Sequence, residues 1–185
     1  VLTLTASGTG GMEAALANTV PAGGKVIGLV AGRWGERWRN IARAFGHTFI
    51  SVSVPYGEPV PPEALEAALR DHPDALAVCA TLCETATGVK NDLAAYGRIV
   101  AGTPALLLVD AISGLGAMEC RSDAWNLDVV VAGSQKGLML PPGLAFVSVS
   151  AKAWQRIDTQ PASPSFYFDL RKYRESLKTN DSPFT

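Results

Sequence analysis

Histidine, cysteine, surplus charge and long apolar runs are all scarce in this sequence. Its 185 residues include two histidines and three cysteines. Cys79, Cys83 and Cys120 form an odd set with no metal-ligand spacing around them, so reduced thiols in a cytoplasmic protein are expected. Sixteen basic side chains are matched by 17 acidic ones, scattered rather than clustered, for a net charge of −1. That balance speaks against a nucleic-acid partner or a membrane surface, each of which asks for a basic patch. The apolar runs, 105–109 among the longest, stop far short of a membrane span. Val1 opens a strand-like run without a basic flank, so no secretory leader is read here. Internal repeats and low-complexity tracts are missing too. There is no initiator methionine, and Ser182-Pro183-Phe184-Thr185 stops in mid-loop, so the chain is expected to be part of a longer protein.

What is present is an apolar content of 48%, enough for one domain with a sizeable core. Short apolar runs at 1–5, 25–30, 48–54, 75–82, 105–111, 129–132 and 144–149 read as strands. Helical patterns at 12–18, 36–45, 62–71 and 93–101 lie between them, bounded by Gly, Pro or Asn. This order predicts a three-layer α/β fold: a mostly parallel sheet of about seven strands with helices on both faces. After residue 150 the pattern changes to a helix at 151–157, a Pro/Ser segment at 161–165 and an amphipathic run at 168–177. Residues 1–150 therefore read as the core, and 151–185 as a helical exit towards a second domain.

In such sheets ligands sit beyond the carboxyl ends of the strands, so the loops that follow strands carry the candidate chemistry. The most informative is the stretch from Val129 to Phe146. An apolar run breaks at Gly133, presents Ser134, Gln135 and Lys136, and resumes after Pro141-Pro142-Gly143. A lysine held between two buried strands loses water, which disfavours its ammonium form and makes the amine a nucleophile towards carbonyl carbon. An ordinary solvated loop lysine is the plainer reading.

The other strand exits carry paired readings as well. Ala6 to Glu13 is a glycine-rich turn feeding a helix, which suits a phosphate but also a plain tight turn. It has neither the Gly-Lys-Ser/Thr of a P-loop nor the dinucleotide-binding spacing. Trp34, Trp38, Ile41 and Phe45 fall at helical spacing, which is a core stripe. Trp34, near Gly32 and Gly35 at a strand exit, could instead lie flat on a planar ring. Thr85 and Thr87 either cap the following helix or donate to a ligand oxygen, and Glu84 is ambiguous. Asp110 ends the run Leu106-Leu107-Leu108-Val109, where a carboxylate is costly unless a metal, a helix N-terminus or a protonated ring nitrogen meets it. His47 and His72 lie away from the strand exits, which weakens the metal option.

A phosphate cradle, an aromatic face, a carboxylate for a pyridinium nitrogen and a Schiff-base lysine together match one cofactor, pyridoxal 5′-phosphate. The sequence resembles the class V, fold-type I aminotransferases, and within them the alanine/serine–glyoxylate branch. The motifs that carry the resemblance are Ser7-Gly8-Thr9-Gly10-Gly11-Met12-Glu13, Gly32-Arg33-Trp34-Gly35, Glu84-Thr85-Ala86-Thr87-Gly88, Val109-Asp110-Ala111-Ile112-Ser113 and Gly133-Ser134-Gln135-Lys136. They occur in the family's order and cover most of 1–149.

The resemblance implies that Lys136 forms the Schiff base and moves protons, and that Asp110 pairs with the pyridine nitrogen. It implies that Trp34 stacks on the ring, that Gly8, Thr9 and Gln135 hold the phosphate, and that Thr85 approaches the phenolic oxygen, with Ser134 a lesser candidate. It also implies a homodimer whose neighbouring subunit touches the phosphate, with the tail near 180–185 resembling that region. The reactants would be a small amino acid, such as serine or alanine, and a 2-oxo acid such as glyoxylate.

Family members carry a further N-terminal segment, and a small C-terminal domain whose arginine binds the substrate carboxylate. Both lie outside this chain, so the 185-residue piece alone is expected to be inactive or nearly so. Rival readings are another class V chemistry, desulfuration or kynurenine hydrolysis, a non-catalytic α/β binding domain, and a nucleotide-binding enzyme. Desulfurases of this superfamily place histidines where this chain has Trp34 and Gln135, which favours transamination.

Overall fold

The computed structural model describes residues 1–161 and 163–184. Ala162 in the Pro/Ser segment and Thr185 at the end of the tail lie outside the described residues. In chain order the elements are β1 (Leu2–Thr5), α1 (Gly8–Thr19), β2 (Lys25–Val30), α2 (Arg33–Ala44), β3 (Thr48–Ser53), α3 (Pro62–Asp71) and β4 (Ala77–Thr81). Then follow β5 (Cys83–Glu84), β6 (Val89–Lys90), α4 (Leu93–Ala101), β7 (Leu106–Asp110), β8 (Val129–Gly133), β9 (Leu144–Val149), α5 (Ala151–Thr159) and α6 (Leu170–Leu177).

Seven strands form one sheet in the order β1-β9-β8-β7-β4-β2-β3. The run from β8 through β7, β4 and β2 to β3 is parallel, whereas β9 is antiparallel to both β8 and β1. The turn-about at β9 has a simple cause: residues 134–143 are too few for a parallel crossover, which takes a dozen or more. The inner parallel strands β4, β7 and β8 are buried on both faces and read as near-continuous apolar runs, whereas β3, at the edge, is not buried. Leu106 and Leu108 face a core shared with α1, α2, α5 and α6, while Leu107 and Val109 face the core beneath α3 and α4. The sheet is thus the middle of three layers.

Two local expectations fail. The glycine-rich turn expected to precede a helix at 12–18 is already the first turn of α1, which begins at Gly8 with Ser7 as its N-cap accepting the Gly10 N–H at 3.3 Å. A Cβ on Gly8 would stand 2.5 Å from Ile112 Cδ1, and one on Gly11 would stand 2.6 Å from Val131 Cγ1. Close packing against β8 and the loop after β7 explains both glycines, and it carries a helix N-terminus to the carboxyl edge of the sheet. Thr85 and Thr87 cap no helix, because they sit in the turn of the short β5–β6 hairpin, closed by Gly88 at φ +79°. The cap of α4 is Asp92, whose carboxylate accepts the Ala95 N–H at 3.0 Å.

Residues after 150 pack back onto the sheet. Ala153, Ile157, Leu170 and Tyr173 join the core beside α1. The buried Asn18 fastens them, donating to Phe168 O at 2.6 Å and accepting the Leu170 N–H at 3.0 Å.

Candidate active site

A cavity of about 230 Å³ opens at the carboxyl edge of the sheet, where β1, β7 and β8 end and α1 and α2 begin. Gly8, Thr9, Trp34, Asp110, Gln135 and Lys136 all line it, so six of the seven candidate residues converge there from the ends of four strands. Thr85 does not line it. Its hydroxyl lies 2.6 Å from that of Ser113, which does, so Thr85 reaches the cavity through one intervening side chain. Ser134 is fully buried beneath the loop, donating to Pro141 O at 2.6 Å and accepting the Leu144 N–H at 3.3 Å.

The α1 wall presents donors. The first N–H groups of a helix have no intrahelical acceptor, and those of Gly8 and Thr9 meet none elsewhere among the described residues. The positive end of the α1 dipole adds to them, so this wall is suited to an anion.

The α2 wall is held by two residues the sequence reading did not single out as contributors. Trp34 is half-buried, and its backbone N–H donates to Glu84 Oε2 at 3.0 Å, with Gly35 N–H reaching the same oxygen at 3.3 Å. Glu84, fully buried on β5, thereby serves as the N-terminal cap that Gly32 has no side chain to provide. A Cβ at position 32 would stand 2.6 Å from Glu84 Cδ, so the glycine makes room for the cap. Arg37, one turn beyond Trp34, lays its guanidinium 4.4 Å from the indole centroid and donates to Thr9 Oγ1 at 2.6 Å. Its spacing from Trp34 on one helix face was the available signal. Glu84 had none, because its acceptor role depends on a hairpin of two-residue strands.

Asp110 forms the floor. It is 4% exposed, and Oδ1 accepts the Ile112 N–H at 2.9 Å, the only hydrogen bond its carboxylate receives among the described residues. Burial pushes its carboxyl up to about 6, against the pull of the Ile112 hydrogen bond. The Glu84 charge pushes the same way, and Arg37 and Lys136 oppose it.

Of the two readings of Lys136, the structure shows the exposed one: β8 ends at Gly133, Ser134 is still buried, and the chain then turns outward through Gln135 and Lys136. Met139 N–H closes that turn on Lys136 O at 2.9 Å. Met139 itself is 90% exposed at φ +55°, and Leu140 beside it is also exposed.

A larger cavity of about 420 Å³ lies at the other end of α1, against Val20, Phe45 and His47, and contains none of the candidate residues. Among the described residues no three His, Cys, Asp or Glu side chains gather as a metal site, and no helix is long and apolar enough to cross a membrane.

The family described as aminotransferase class-V matches residues 3–183. Over its whole length the chain is 48% identical to a Synechococcus protein named soluble hydrogenase, small subunit, and 97% of it is 42% identical to the L-aspartate–glyoxylate aminotransferase of Paracoccus denitrificans. The chain covers 49% and 46% of those two proteins, so it spans about half the length of the curated relatives it matches. The crystal structure of an alanine–glyoxylate aminotransferase from Nostoc superposes with a TM-score of 0.88 at 32% identity, covering 91% of this chain and 45% of that one.

Proposed function

Because this chain belongs to the class V aminotransferase family, we propose that it is the cofactor-binding part of a pyridoxal-phosphate-dependent transaminase. Its amino donor is a small amino acid, serine or alanine, and its acceptor a 2-oxo acid such as glyoxylate. The observation that supports this reading is the meeting of a lysine, a buried carboxylate, an indole and a free helix N-terminus around one cavity.

These residues fit the cofactor. The cavity is smaller than the roughly 300–1,000 Å³ of drug-sized pockets, which suits a single-ring ligand. The free N–H groups of Gly8 and Thr9, with Thr9 Oγ1 and Gln135, would hold the phosphate. Trp34 would cover the ring, Asp110 would meet the ring nitrogen, and Thr85 would act at the phenolic oxygen by way of Ser113. When bound, the cofactor supplies an aldehyde to capture an amino group and an electron-poor ring to delocalise the electrons of the α C–H bond. Asp110 would keep a proton on the ring nitrogen, a role its buried, one-sided hydrogen bonding suits. Lys136 Nζ, as the free amine, would take and return the proton at the donor's α carbon.

The exposed Met139 and Leu140 beside Lys136 support a homodimer whose second subunit covers the lysine wall. We read residues 1–150 as the cofactor core and 151–185 as the segment leading to the substrate-binding small domain, in a cytoplasmic protein. On that reading the 185-residue chain alone turns over little or no substrate.

The test uses the full-length protein, whose mass in solution should be that of two copies. Pyridoxal phosphate should bind with a visible band, and borohydride should fix a pyridoxyl group on Lys136. Serine or alanine should discharge the band and glyoxylate restore it. A protein that takes up no cofactor would be the binding domain of the rival reading, and one that releases sulfide from cysteine would be a desulfurase.

A further inference from the structure

We propose that Arg37 is a positioning residue for the cofactor's phosphate, acting through the hydroxyl of Thr9. This rests on the transaminase reading above, and it assigns a role to a side chain outside the set read from the sequence.

Three observations on one side chain carry it. Arg37 lines the cavity. Its Nη1 donates to Thr9 Oγ1 at 2.6 Å, a short contact for an N–H···O bond. Its guanidinium carbon lies 4.4 Å from the Trp34 ring centroid, within the range of a cation–π contact.

The consequence for Thr9 is directional. A hydroxyl has one hydrogen to donate and two lone pairs. Once a lone pair is taken by a cationic donor, the hydroxyl's own hydrogen is left to point away from the arginine. No acceptor for it appears among the described residues. Thr9 stands at the first turn of α1, beside the unpaired N–H groups of Gly8 and Thr9. The hydroxyl hydrogen thus becomes one more donor in that anion cradle, polarised by a full positive charge behind it.

The consequence for Trp34 is steric. The Arg37 guanidinium packs on the indole at 4.4 Å from its centroid, nearer than that of Arg33 at 5.7 Å, and so restrains the ring. Arg37 therefore joins the two ends of the cavity, the aromatic wall and the phosphate cradle, at one fixed separation. Lysine could supply the charge but neither the flat stacking surface nor the fork.

Pyridoxal phosphate and pyridoxal differ only in the phosphate, so their affinity ratio isolates this effect. In the full-length protein, dissociation constants for both are measured by absorbance for the wild type, Arg37→Gln, Arg37→Lys and Thr9→Val, and for Arg37→Gln combined with Thr9→Val. Arg37→Gln is expected to weaken pyridoxal phosphate by about tenfold, the size of a charge-assisted hydrogen bond, with a much smaller effect on pyridoxal. Arg37→Lys should fall between, and in the Thr9→Val background Arg37→Gln should leave the ratio unchanged.

Equal weakening of both ligands by Arg37→Gln, or no weakening of either, overturns the proposal, as does a full Arg37 effect in the absence of the Thr9 hydroxyl. Should Arg37→Gln fail to fold, Arg37→Lys decides alone, and a wild-type ratio overturns the proposal. A wild type that takes up pyridoxal phosphate with an unmoved ratio sinks this inference only. A wild type that takes up neither ligand sinks the transaminase reading and this inference with it.

Discussion

Asp110 and Lys136 leave the sheet from neighbouring parallel strands, and Asp110 pairs in register with Val131, two residues before β8 ends at Gly133. Yet one is 4% exposed with its carboxyl pushed up to about 6, and the other stands in an open turn. The floor of the cavity is finished within this chain. Ile112 donates to the carboxylate, Glu84 and Arg37 stand close enough to influence it, and both cores close around β7. The lysine wall has Ser134 pinned beneath it, but among the described residues nothing lies over it. Electrostatic tuning of the carboxylate is thus a local property of the fold, whereas the turn that carries the lysine stands open among the described residues.

The sharpest way to break this contrast is Lys136→Ala. Borohydride-fixed cofactor should vanish completely, while the unfolding free energy should move by no more than about 0.5 kcal/mol, as for other exposed positions. Cofactor still fixed to the chain would remove Lys136 from its role, and a large stability loss would mean that the wall is less open than its exposure indicates.

Asp110 should behave in the opposite way, weakly coupled to covalent capture and strongly to stability. An acid raised from its ordinary 3.8 to about 6 binds more protons in the fold than in the unfolded chain. Its favourable contribution is therefore complete below about pH 4 and is lost as pH climbs through about 6. The span corresponds to about 3 kcal/mol. In cofactor-free protein, denaturant unfolding from pH 4 to 7 should show the wild type losing that much relative to Asp110→Asn. Parallel pH profiles for the two proteins would show that the carboxylate is not desolvated.

A smaller effect sharpens the comparison by testing what finishes the floor and the α2 wall. Glu84→Ala leaves the N–H groups of Trp34 and Gly35 without their acceptor and should cost about 1–2 kcal/mol, with Glu84→Gln costing less. Thermal melts of the three proteins check this, and an unchanged Glu84→Ala would mean that water or the neighbouring backbone caps α2 equally well.

Most of this architecture was legible because parallel strands are apolar on both faces. Leu106 to Val109 and Val129 to Val131 announce themselves, and the loops after them can then be searched for chemistry. Thr85 to Gly88 was misread because a hairpin with two-residue strands leaves no periodicity to count. The start of α1 was missed because glycine lowers helix propensity, and the reason for Gly8 and Gly11, contact with Ile112 and Val131, lies far away in sequence. Arg37 is hidden by its own helix: Trp38 and Ile41 carry the apolar period, and a polar neighbour beside them leaves no periodic signal. The two readings of Lys136 stay open in the sequence because flanking apolar strands do not show where the backbone turns out of the sheet, and that turn is what exposes the lysine.

The antiparallel edge has a consequence for how this chain acquires its site. β1 pairs Leu2 with Val147, so β1 cannot dock until the 140-odd residues that lead to β9 are available. The cost of closing so long a loop is met only after β8 and β9 offer an edge to receive it. Since α1 follows β1 directly, the anion cradle swings into place in that same late step, when the lysine turn already exists. A partly folded or partly synthesised chain would display the lysine without the cradle. Capacity to retain the cofactor would then report that the last long-range pairing has been made.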